Sequence, residues 1–248
     1  MLNGVRVVKV GGGEIEEPEW LAAFGRGIKQ AGPVIVVHGG GRRITQWQQR
    51  LEVPLQIRDG LRVTTPELAE LVQMVLCGPI RTSLVRALRE QGVPALGLAG
   101  AEGCFTVELL DPQQWGRVGR VVAVDGALLS TLIEAGFTPV VTPVSVGPDG
   151  EVVNVNADDA AVAVAQALDA TELLFISDVP GVMHGGRRLA SVRAHELNRL
   201  IAEGVVRGGM VVKLTAAVRA RGRSVRVGDL SLLTDPAAGT AVSWEEAA

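Results

Sequence analysis

The sequence contains no tyrosine, and aromatic residues make up only 3% of its 248 positions. Tyrosine chemistry is therefore excluded, and aliphatic side chains must build most of the core. Only two cysteines occur, Cys77 and Cys104, and neither stands near a second cysteine or a histidine in a metal-ligand spacing. This usage fits a reducing, cytoplasmic setting and offers no cysteine metal site.

Charge and hydropathy exclude further classes. The formal net charge is −3 and no basic cluster exceeds a few arginines, so we expect no nucleic-acid partner. No apolar run approaches the roughly 20 residues of a membrane span, and the first residues lack the apolar core of a signal peptide, so we expect no membrane association. A hydrophobic content of 47% with 21% charged residues is typical of a globular protein, built as one large domain or two small lobes.

The most informative stretch is residues 34–44, where four apolar residues precede His38, three glycines and a segment of helical character. The pattern predicts a buried strand, a turn and a helix. Glycine leaves the backbone N–H groups open to a ligand, and a helix start carries partial positive charge. We therefore predict an anion site, most simply for a phosphoryl group, against the alternative of a tight turn. For His38 we expect a supporting role in the turn rather than catalysis.

A second glycine run, residues 11–13, follows the predicted strand 5–10. Two such strand ends suggest one anion site built from two loops. Lys9 lies just before the second run, and burying a lysine is costly unless its ammonium group has a partner. The alternative is an edge-strand lysine that points to water. Neither glycine run has dinucleotide-binding spacing, which disfavours an oxidoreductase.

Residues 56–64 form a β-prone, hairpin-like unit broken by Gly60. Its Arg62 stands between two apolar residues that anchor it. Because the planar guanidinium suits bidentate recognition of a carboxylate, the unit is either a carboxylate clamp or a solvated ribbon.

Residues 152–159 carry the most polar chemistry of the chain. Strand alternation predicts that Asn154, Asn156 and Asp158 share one side, before a helix that begins at Ala160. One such residue is enough to cap a helix; three in register favour a ligand site.

The last third contains a second candidate phosphate cation. A strand over residues 173–176 leads into Ser177 and Asp178, the usual ligand position at a carboxyl strand end. Further on, a Gly-Gly pair precedes Lys213, which we expect to open a helix over residues 214–221; an exposed helix lysine is the alternative.

Alternating strands and helices predict an α/β fold with an open, mainly parallel central sheet sandwiched between helices. Within it, helices are expected around residues 44–51 and over residues 193–204. Prolines 139 and 143 argue that the strand over residues 138–144 lies at an edge or that they mark its ends.

Six segments, in order and over nearly the whole chain, together resemble the amino-acid kinase family and within it the acetylglutamate kinases. They are Lys9-Val10-Gly11-Gly12, His38-Gly39-Gly40-Gly41, Asp59-Gly60-Leu61-Arg62-Val63-Thr64, Asn154-Val155-Asn156-Ala157-Asp158, Ser177-Asp178-Val179-Pro180-Gly181 and Gly208-Gly209-Met210-Val211-Val212-Lys213. The resemblance implies the carbamate-kinase-like fold of that family. It also implies transfer of the ATP γ-phosphoryl group to the side-chain carboxylate of N-acetyl-L-glutamate, a step of arginine biosynthesis.

The resemblance also implies roles for individual residues. Lys9 and Lys213 are expected to neutralise the phosphoryl group, and Asp158 to orient both lysines. The expected substrate-binding residues are Gly12, Gly40, Gly41, Arg62, Asn154 and Asn156. The expected ATP-binding residues are Ser177, Asp178, Gly181, Gly209 and Met210. Mg²⁺ is expected to be held mainly by the nucleotide phosphates, without a protein metal site.

The same resemblance suggests that residues 1–160 form a lobe for the amino-acid substrate and the dimer interface, and residues 161–248 a lobe for ATP. Because the chain starts almost at the first strand, we expect a homodimer with weak arginine feedback rather than a hexamer. Residues 78–82 and 98–103 depart from the family motifs, which affects local substrate-loop or dimer details.

Two rival functions stay open. One is the carrier-protein-linked aminoadipate or glutamate kinase of lysine biosynthesis, although residues 116–119 and 154–158 look more like the acetylglutamate type. The other is a catalytically silent binding protein on the same fold. The presence of both lysines and of Asp158 argues against it.

Overall fold

Residues 4–11 and 14–244, which the computed structural model describes, form sixteen strands and nine α-helices. The strands are β1 (Arg6–Val10), β2 (Val34–His38), β3 (Ile57–Arg58), β4 (Leu61–Arg62), β5 (Ala95–Ala99), β6 (Phe105–Leu109), β7 (Val118–Val124), β8 (Thr138–Thr142), β9 (Val144–Val146), β10 (Val152–Val155), β11 (Glu172–Ile176), β12 (Met183–His184), β13 (Arg187–Arg188), β14 (Ser191–Arg193), β15 (Ser224–Gly228) and β16 (Thr240–Ser243). The helices are α1 (Pro18–Gln30), α2 (Gly41–Arg50), α3 (Pro66–Val75), α4 (Arg81–Glu90), α5 (Pro112–Trp115), α6 (Gly126–Glu134), α7 (Ala157–Ala167), α8 (Leu197–Ala202) and α9 (Gly209–Arg219).

Eight strands form the central sheet in the order β14-β16-β15-β11-β1-β2-β8-β5. Every neighbouring pair is parallel except β15 and β16. The predicted α/β class with a mainly parallel sheet is therefore confirmed. Strands from both sides of residue 160 belong to this one sheet; the division into a substrate lobe and an ATP lobe stays a prediction.

Apolar residues cover both faces of the sheet. In β1, Val7 packs into a core shared with α7 and α9, whereas Val8 packs on the opposite face with α1, α3 and α4. This alternation follows from the period of two along a strand. The sheet is thus sandwiched between helices, as predicted, and Lys9 shares the face of Val7 that α7 covers.

Strand order brings the candidate loops to one edge of the sheet. Strands β11, β1 and β2 are parallel neighbours, so the loops after residues 176, 10 and 38 leave at the same end. The N–H group of Gly39 donates to the carbonyl of Val10 over 2.8 Å, which ties the two glycine turns together. Ligands commonly bind at such carboxyl strand ends.

A second, four-stranded sheet, in the order β6-β7-β10-β9, lies beside this edge and leads through β10 directly into α7. The β3–β4 hairpin closes through Asp59 and Gly60, which both have positive φ, as the two central residues of a tight hairpin turn do.

Several sequence expectations need correction. Helix α2 begins at Gly41 and not near Ile44, because the chain turns helical directly after the extended Gly40. Strand β8 lies between β2 and β5, which excludes the edge position and leaves the other alternative, that the prolines mark the strand ends; Pro143 directly follows its last residue. Pro139 is nevertheless the second residue of the strand, before the ladder with β2 begins, so its missing N–H breaks no pairing there.

Two helix starts in the last third also differ from expectation. Arg193 ends strand β14, which pairs with β16, and the helix predicted from residue 193 begins only at Leu197. Helix α9 begins at Gly209, so Lys213 lies one turn inside the helix and does not open it.

The run Pro66–Glu90 joins α3 and α4 through a π-helical turn, Leu76–Ile80, which bends at Gly78. By length and hydropathy alone this run is a candidate membrane span, although 44% of its most apolar window is buried inside the fold. A core helix passes the same test, and its apolar residues, Leu68, Val72 and Leu84 among them, are core residues here.

Candidate active site

An open cavity of about 280 Å³ lies where strands β1, β2 and β8 end, at Gly11, Gly39 and Pro143. Parts of the chain that are distant in sequence form its walls. The predicted site residues on these walls are Lys9, Gly40, Gly41, Arg62, Asn154, Asn156, Asp158, Gly209 and Lys213. The structure therefore brings together nine of the fourteen predicted site residues.

Three helices point their N-termini at this cavity. Gly41, Ala157 and Gly209, the first residues of α2, α7 and α9, all line it. The first N–H groups of a helix have no partner within the helix, and the helix dipole adds partial positive charge there. Three such ends on one cavity favour a ligand with several anionic oxygens.

Lys9 and Asp158 form a buried ion pair with 2.7 Å between Nζ and Oδ1. Each residue is only 6% exposed. Lys9 reaches the pair from strand β1 and Asp158 from the first turn of α7, which covers that face of β1. Helix α7 begins at Ala157 and not at Ala160 as expected. The predicted strand alternation stops at Val155, because Asn156 caps the helix and Asp158 lies inside it.

Lys213 lines the same cavity from the second turn of α9. Side chains of a helix lean toward its N-terminus, so a residue at position i + 4 covers position i. Accordingly, a Cβ atom added to Gly209 would lie 3.7 Å from the Lys213 Nζ atom. Among the described residues, three cationic side chains, those of Lys9, Arg62 and Lys213, and one carboxylate, that of Asp158, thus line the cavity.

Close approaches explain why glycines are needed in two of the turns. A Cβ atom on Gly11 would lie 3.1 Å from the Lys9 Nζ atom, so a side chain there would crowd the ammonium group. A Cβ atom on Gly40 would lie 2.2 Å from the side chain of Ile80, so this glycine is also required by packing. Gly41 has no such clash. Gly12 lies outside the described residues.

Arg62 stands on the β3–β4 hairpin and is held by one face of α2. Its Nη2 atom donates to the Gly41 carbonyl over 3.0 Å and to the Thr45 hydroxyl over 2.9 Å, and its Nη1 atom donates to the Gln48 side-chain oxygen. Burial lowers the pKa of Arg62 from its usual range. Arg62 is thus half-buried and held by α2, whereas residues 56–60 of the same unit are exposed.

The two asparagines on the cavity have different local partners. The Asn154 amide donates to the Thr64 hydroxyl over 3.0 Å, and this hydroxyl donates to the Arg62 carbonyl over 2.7 Å. Asn156 is the N-cap of α7, since its side-chain oxygen accepts from the N–H groups of Asp158 and Asp159. Asn156 therefore has a capping role as well as a place on the cavity wall.

His38 is fully buried beneath the glycine turn. Its ring contacts the Gly39 carbonyl through Nδ1 at 3.0 Å and the Thr142 hydroxyl through Nε2 at 2.7 Å. Burial lowers the pKa of His38 to about 4, so the ring is neutral at pH 7. These contacts agree with the expected supporting role and link the turn to β8.

Four of the five predicted ATP-binding residues do not line the cavity: Ser177, Asp178, Gly181 and Met210. The strand register places Ser177 two residues beyond the Lys9–Phe175 pair, beside Gly11 at the same sheet edge. The Ser177 hydroxyl donates to the Asp178 carboxylate over 3.0 Å. Gly181 has φ 149°, and a Cβ atom there would lie 2.5 Å from the Thr240 hydroxyl, so this turn requires glycine.

Among residues 4–11 and 14–244, no group of three or more histidine, cysteine, aspartate or glutamate side chains is arranged to hold a metal ion. The carboxylate on the cavity belongs to Asp158 and is engaged with Lys9. The donor set therefore suits a ligand that arrives with its own metal more than a metal resident on the protein.

Sequence reasoning missed three polar residues that hold the predicted ones in place: Thr45, Gln48 and Thr64. Gln48 and Thr64 are fully buried. The only sequence signal for Gln48 was its place between apolar helix positions, which by itself indicates nothing about Arg62.

A sequence profile of the amino acid kinase family matches residues 4–228. The acetylglutamate kinase of Chloroflexus aurantiacus is 43% identical over 244 residues, which cover 94% of this chain and 95% of the relative. The acetylglutamate kinase of Geobacillus kaustophilus is 42% identical over 217 residues, covering 86% of this chain and 84% of the relative.

Solved structures are similar over almost the whole chain. The smu.665 structure from Streptococcus mutans has a TM-score of 0.83 at 27% identity, covering 97% of this chain and 99% of that one. The N-acetylglutamate synthase of Neisseria gonorrhoeae, complexed with coenzyme A and N-acetyl-glutamate, has a TM-score of 0.81 at 20% identity, covering 98% of this chain and 60% of that one. The latter likeness concerns the fold alone.

Proposed function

The chain belongs to the amino acid kinase family, and we propose that it transfers the γ-phosphoryl group of ATP to the side-chain carboxylate of N-acetyl-L-glutamate. The acetylglutamate kinases similar to it cover most of both chains, which supports this substrate within the family. One structural observation carries the proposal. Lys9 and Lys213, from opposite ends of the sequence, line one cavity onto which three helix N-termini open.

The chemistry needs no general base, because a carboxylate is already an ionised nucleophile at pH 7. Catalysis is then a matter of positioning the two substrates and stabilising the charge that develops on the transferred group. In this proposal the two lysine ammonium groups contact the phosphoryl oxygens, and Asp158 holds Lys9 in place. The N–H groups of Gly12, Gly40 and Gly41 donate to the moving phosphoryl group and the acceptor carboxylate.

Arg62, Asn154 and Asn156 form the proposed amino-acid site. Arg62 binds the α-carboxylate, and Asn154 contacts the acetamido group. Support comes from their shared place on the cavity wall and from the Thr64 hydroxyl, which connects Asn154 with the Arg62 backbone.

The nucleotide is proposed to lie along the adjoining edge of the sheet. Ser177, Asp178 and Gly181 line its path after β11, and Gly209 and Met210 flank it at the start of α9. Mg²⁺, bound to the phosphate oxygens, supplies charge neutralisation. Residues 1–160 are proposed to serve the amino acid and residues 161–248 the nucleotide, in a cytoplasmic homodimer that functions in arginine biosynthesis.

Hydroxylamine trapping tests the reaction directly. An acyl phosphate formed from ATP and N-acetyl-L-glutamate reacts with hydroxylamine to a hydroxamate, which is measured by its colour with iron(III). We expect hydroxamate and ADP in equal amounts, and neither without the amino acid or with excess chelator. ADP release only with a carrier-linked aminoadipate or glutamate would replace the proposed substrate, and no ADP release with either would leave a binding protein.

A further inference from the structure

Gln48 is a polar residue buried where a helix would normally place an apolar one. It lies in the third turn of α2, it is 0% exposed, and the other buried residue of this helix is the apolar Ile44, one turn earlier. Burying an amide costs free energy unless its donor and its acceptor are both paired. Such a residue therefore needs a specific explanation.

Both ends of the Gln48 amide are paired, and each partner accepts only one orientation. The side-chain oxygen accepts from the Arg62 Nη1 atom, and the Nε2 atom donates to the Pro54 carbonyl over 2.9 Å. A guanidinium can only donate and a carbonyl can only accept, so a flipped amide would lose both bonds. The amide is thus locked between the loop that leads into the β3–β4 hairpin and the cation that the hairpin carries.

Three residues on one face of α2 accept hydrogen bonds from Arg62. The Gly41 carbonyl, the Thr45 hydroxyl and the Gln48 amide stand at positions i, i + 4 and i + 7 of the helix, and all three accept from its guanidinium. They take three of its five N–H donors, and the plane of a guanidinium is fixed once three donors are committed. None of these three acceptors is charged, so Arg62 keeps its full positive charge for a ligand.

We propose that Gln48 is a positioning residue for the substrate carboxylate: its locked amide holds the Arg62 guanidinium on the cavity wall so that the remaining N–H donors receive the α-carboxylate. The proposal rests on the proposed function, in which Arg62 binds that group. A neutral amide is suited to this role because a carboxylate in its place would neutralise Arg62, and an apolar side chain would release it.

The test compares Gln48→Met with Gln49→Met, the same exchange one residue later on the exposed side of α2. We expect Gln48→Met to raise KM for N-acetyl-L-glutamate about tenfold, as for loss of a hydrogen bond to a charged group, and to leave kcat and KM for ATP within about twofold. Gln49→Met should match the wild type. With the α-carboxamide analogue of the substrate, Gln48→Met and wild type should have equal KM.

A merely structural role of Gln48 predicts different results. The KM for both substrates, or kcat together with KM, would then change, and Gln48→Met would add to the effect of Arg62→Ala in the double variant. If Gln48→Met does not fold, Gln48→Glu keeps the size and the acceptor but neutralises Arg62, and it should raise KM for acetylglutamate about tenfold as well. An unchanged KM in that variant overturns the proposal.

Failure of this inference is distinguishable from failure of the proposed function. Suppose that the wild type phosphorylates acetylglutamate and that Arg62→Ala has a high KM for it. An unchanged KM in Gln48→Met then overturns the role of Gln48 alone. A wild type that forms no acyl phosphate from acetylglutamate overturns the function itself.

Discussion

The Lys9 ammonium group lies 2.7 Å from the Asp158 carboxylate, and this pair joins the first strand to the first turn of α7. Both side chains are almost completely buried. Forming a buried ion pair gains little net stability, because desolvation of both charges offsets their attraction. Removing one partner is different, since it leaves the other charge buried and uncompensated. Removing one partner of this pair should therefore affect both the stability of the fold and the proposed reaction.

Asp158→Asn is expected to lower the free energy of unfolding by about 3 kcal/mol, the usual cost of leaving one partner of a buried pair alone. It should also lower kcat, because Lys9 loses the group that holds it. Urea unfolding and steady-state kinetics measure the two effects. The matched control is Asp159→Asn in the next position, whose pair with Arg219 is more exposed and should contribute less than about 1 kcal/mol. Equal losses in the two variants would contradict the prediction.

Lys9→Ala and Lys213→Ala are each expected to lower kcat by about a hundredfold or more, as for removal of one group that stabilises transition-state charge, with a small change in KM for acetylglutamate. The third lysine of the chain, Lys29, is exposed at the end of α1, and Lys29→Ala should retain wild-type kinetics. Wild-type turnover in either cavity variant would remove that lysine from the mechanism.

Arg62→Ala is expected to raise KM for acetylglutamate by about a hundredfold, because a charge-assisted hydrogen bond to the α-carboxylate is lost. Arg58 lies on the facing strand of the same hairpin, is exposed and donates to the Gln114 carbonyl, so Arg58→Ala keeps the hairpin and serves as control. The prediction is wrong if both variants change KM equally, or if the Arg62→Ala effect falls on kcat alone.

The pH dependence of stability should report His38. Its folded pKa of about 4 lies below the usual 6.5, so between these values the unfolded chain binds the extra proton. Stability is therefore expected to fall as pH decreases from 6.5 toward 4, by at most about 3 kcal/mol from this group. Above pH 6.5 the ring is neutral in both states and contributes no slope.

His38→Gln removes this titration while keeping a polar side chain beside Thr142 and Gly39. Chemical unfolding at several pH values should show a flatter profile below pH 6.5 than in wild type. A His38→Gln profile as steep as that of wild type would contradict the assignment.

Much of the local structure was predictable because it depends on neighbours in the chain. Apolar runs located β1, β2 and β11, and the turn at Gly60 located the hairpin. Errors arose where tertiary pairing decided the outcome. Arg193 became a strand residue because β14 pairs with β16.

By itself, the sequence determined the α/β class, the glycine turn after β2 and the chemical character of the site residues, since strand period and turn chemistry act over a few residues. Only the tertiary structure decided which of these residues meet. Lys9 forms an ion pair with Asp158 because α7 crosses the face of β1. Arg62 forms a hydrogen bond with Gln48 because the hairpin folds back on α2. Such meetings follow from strand order and helix packing, which no local pattern encodes.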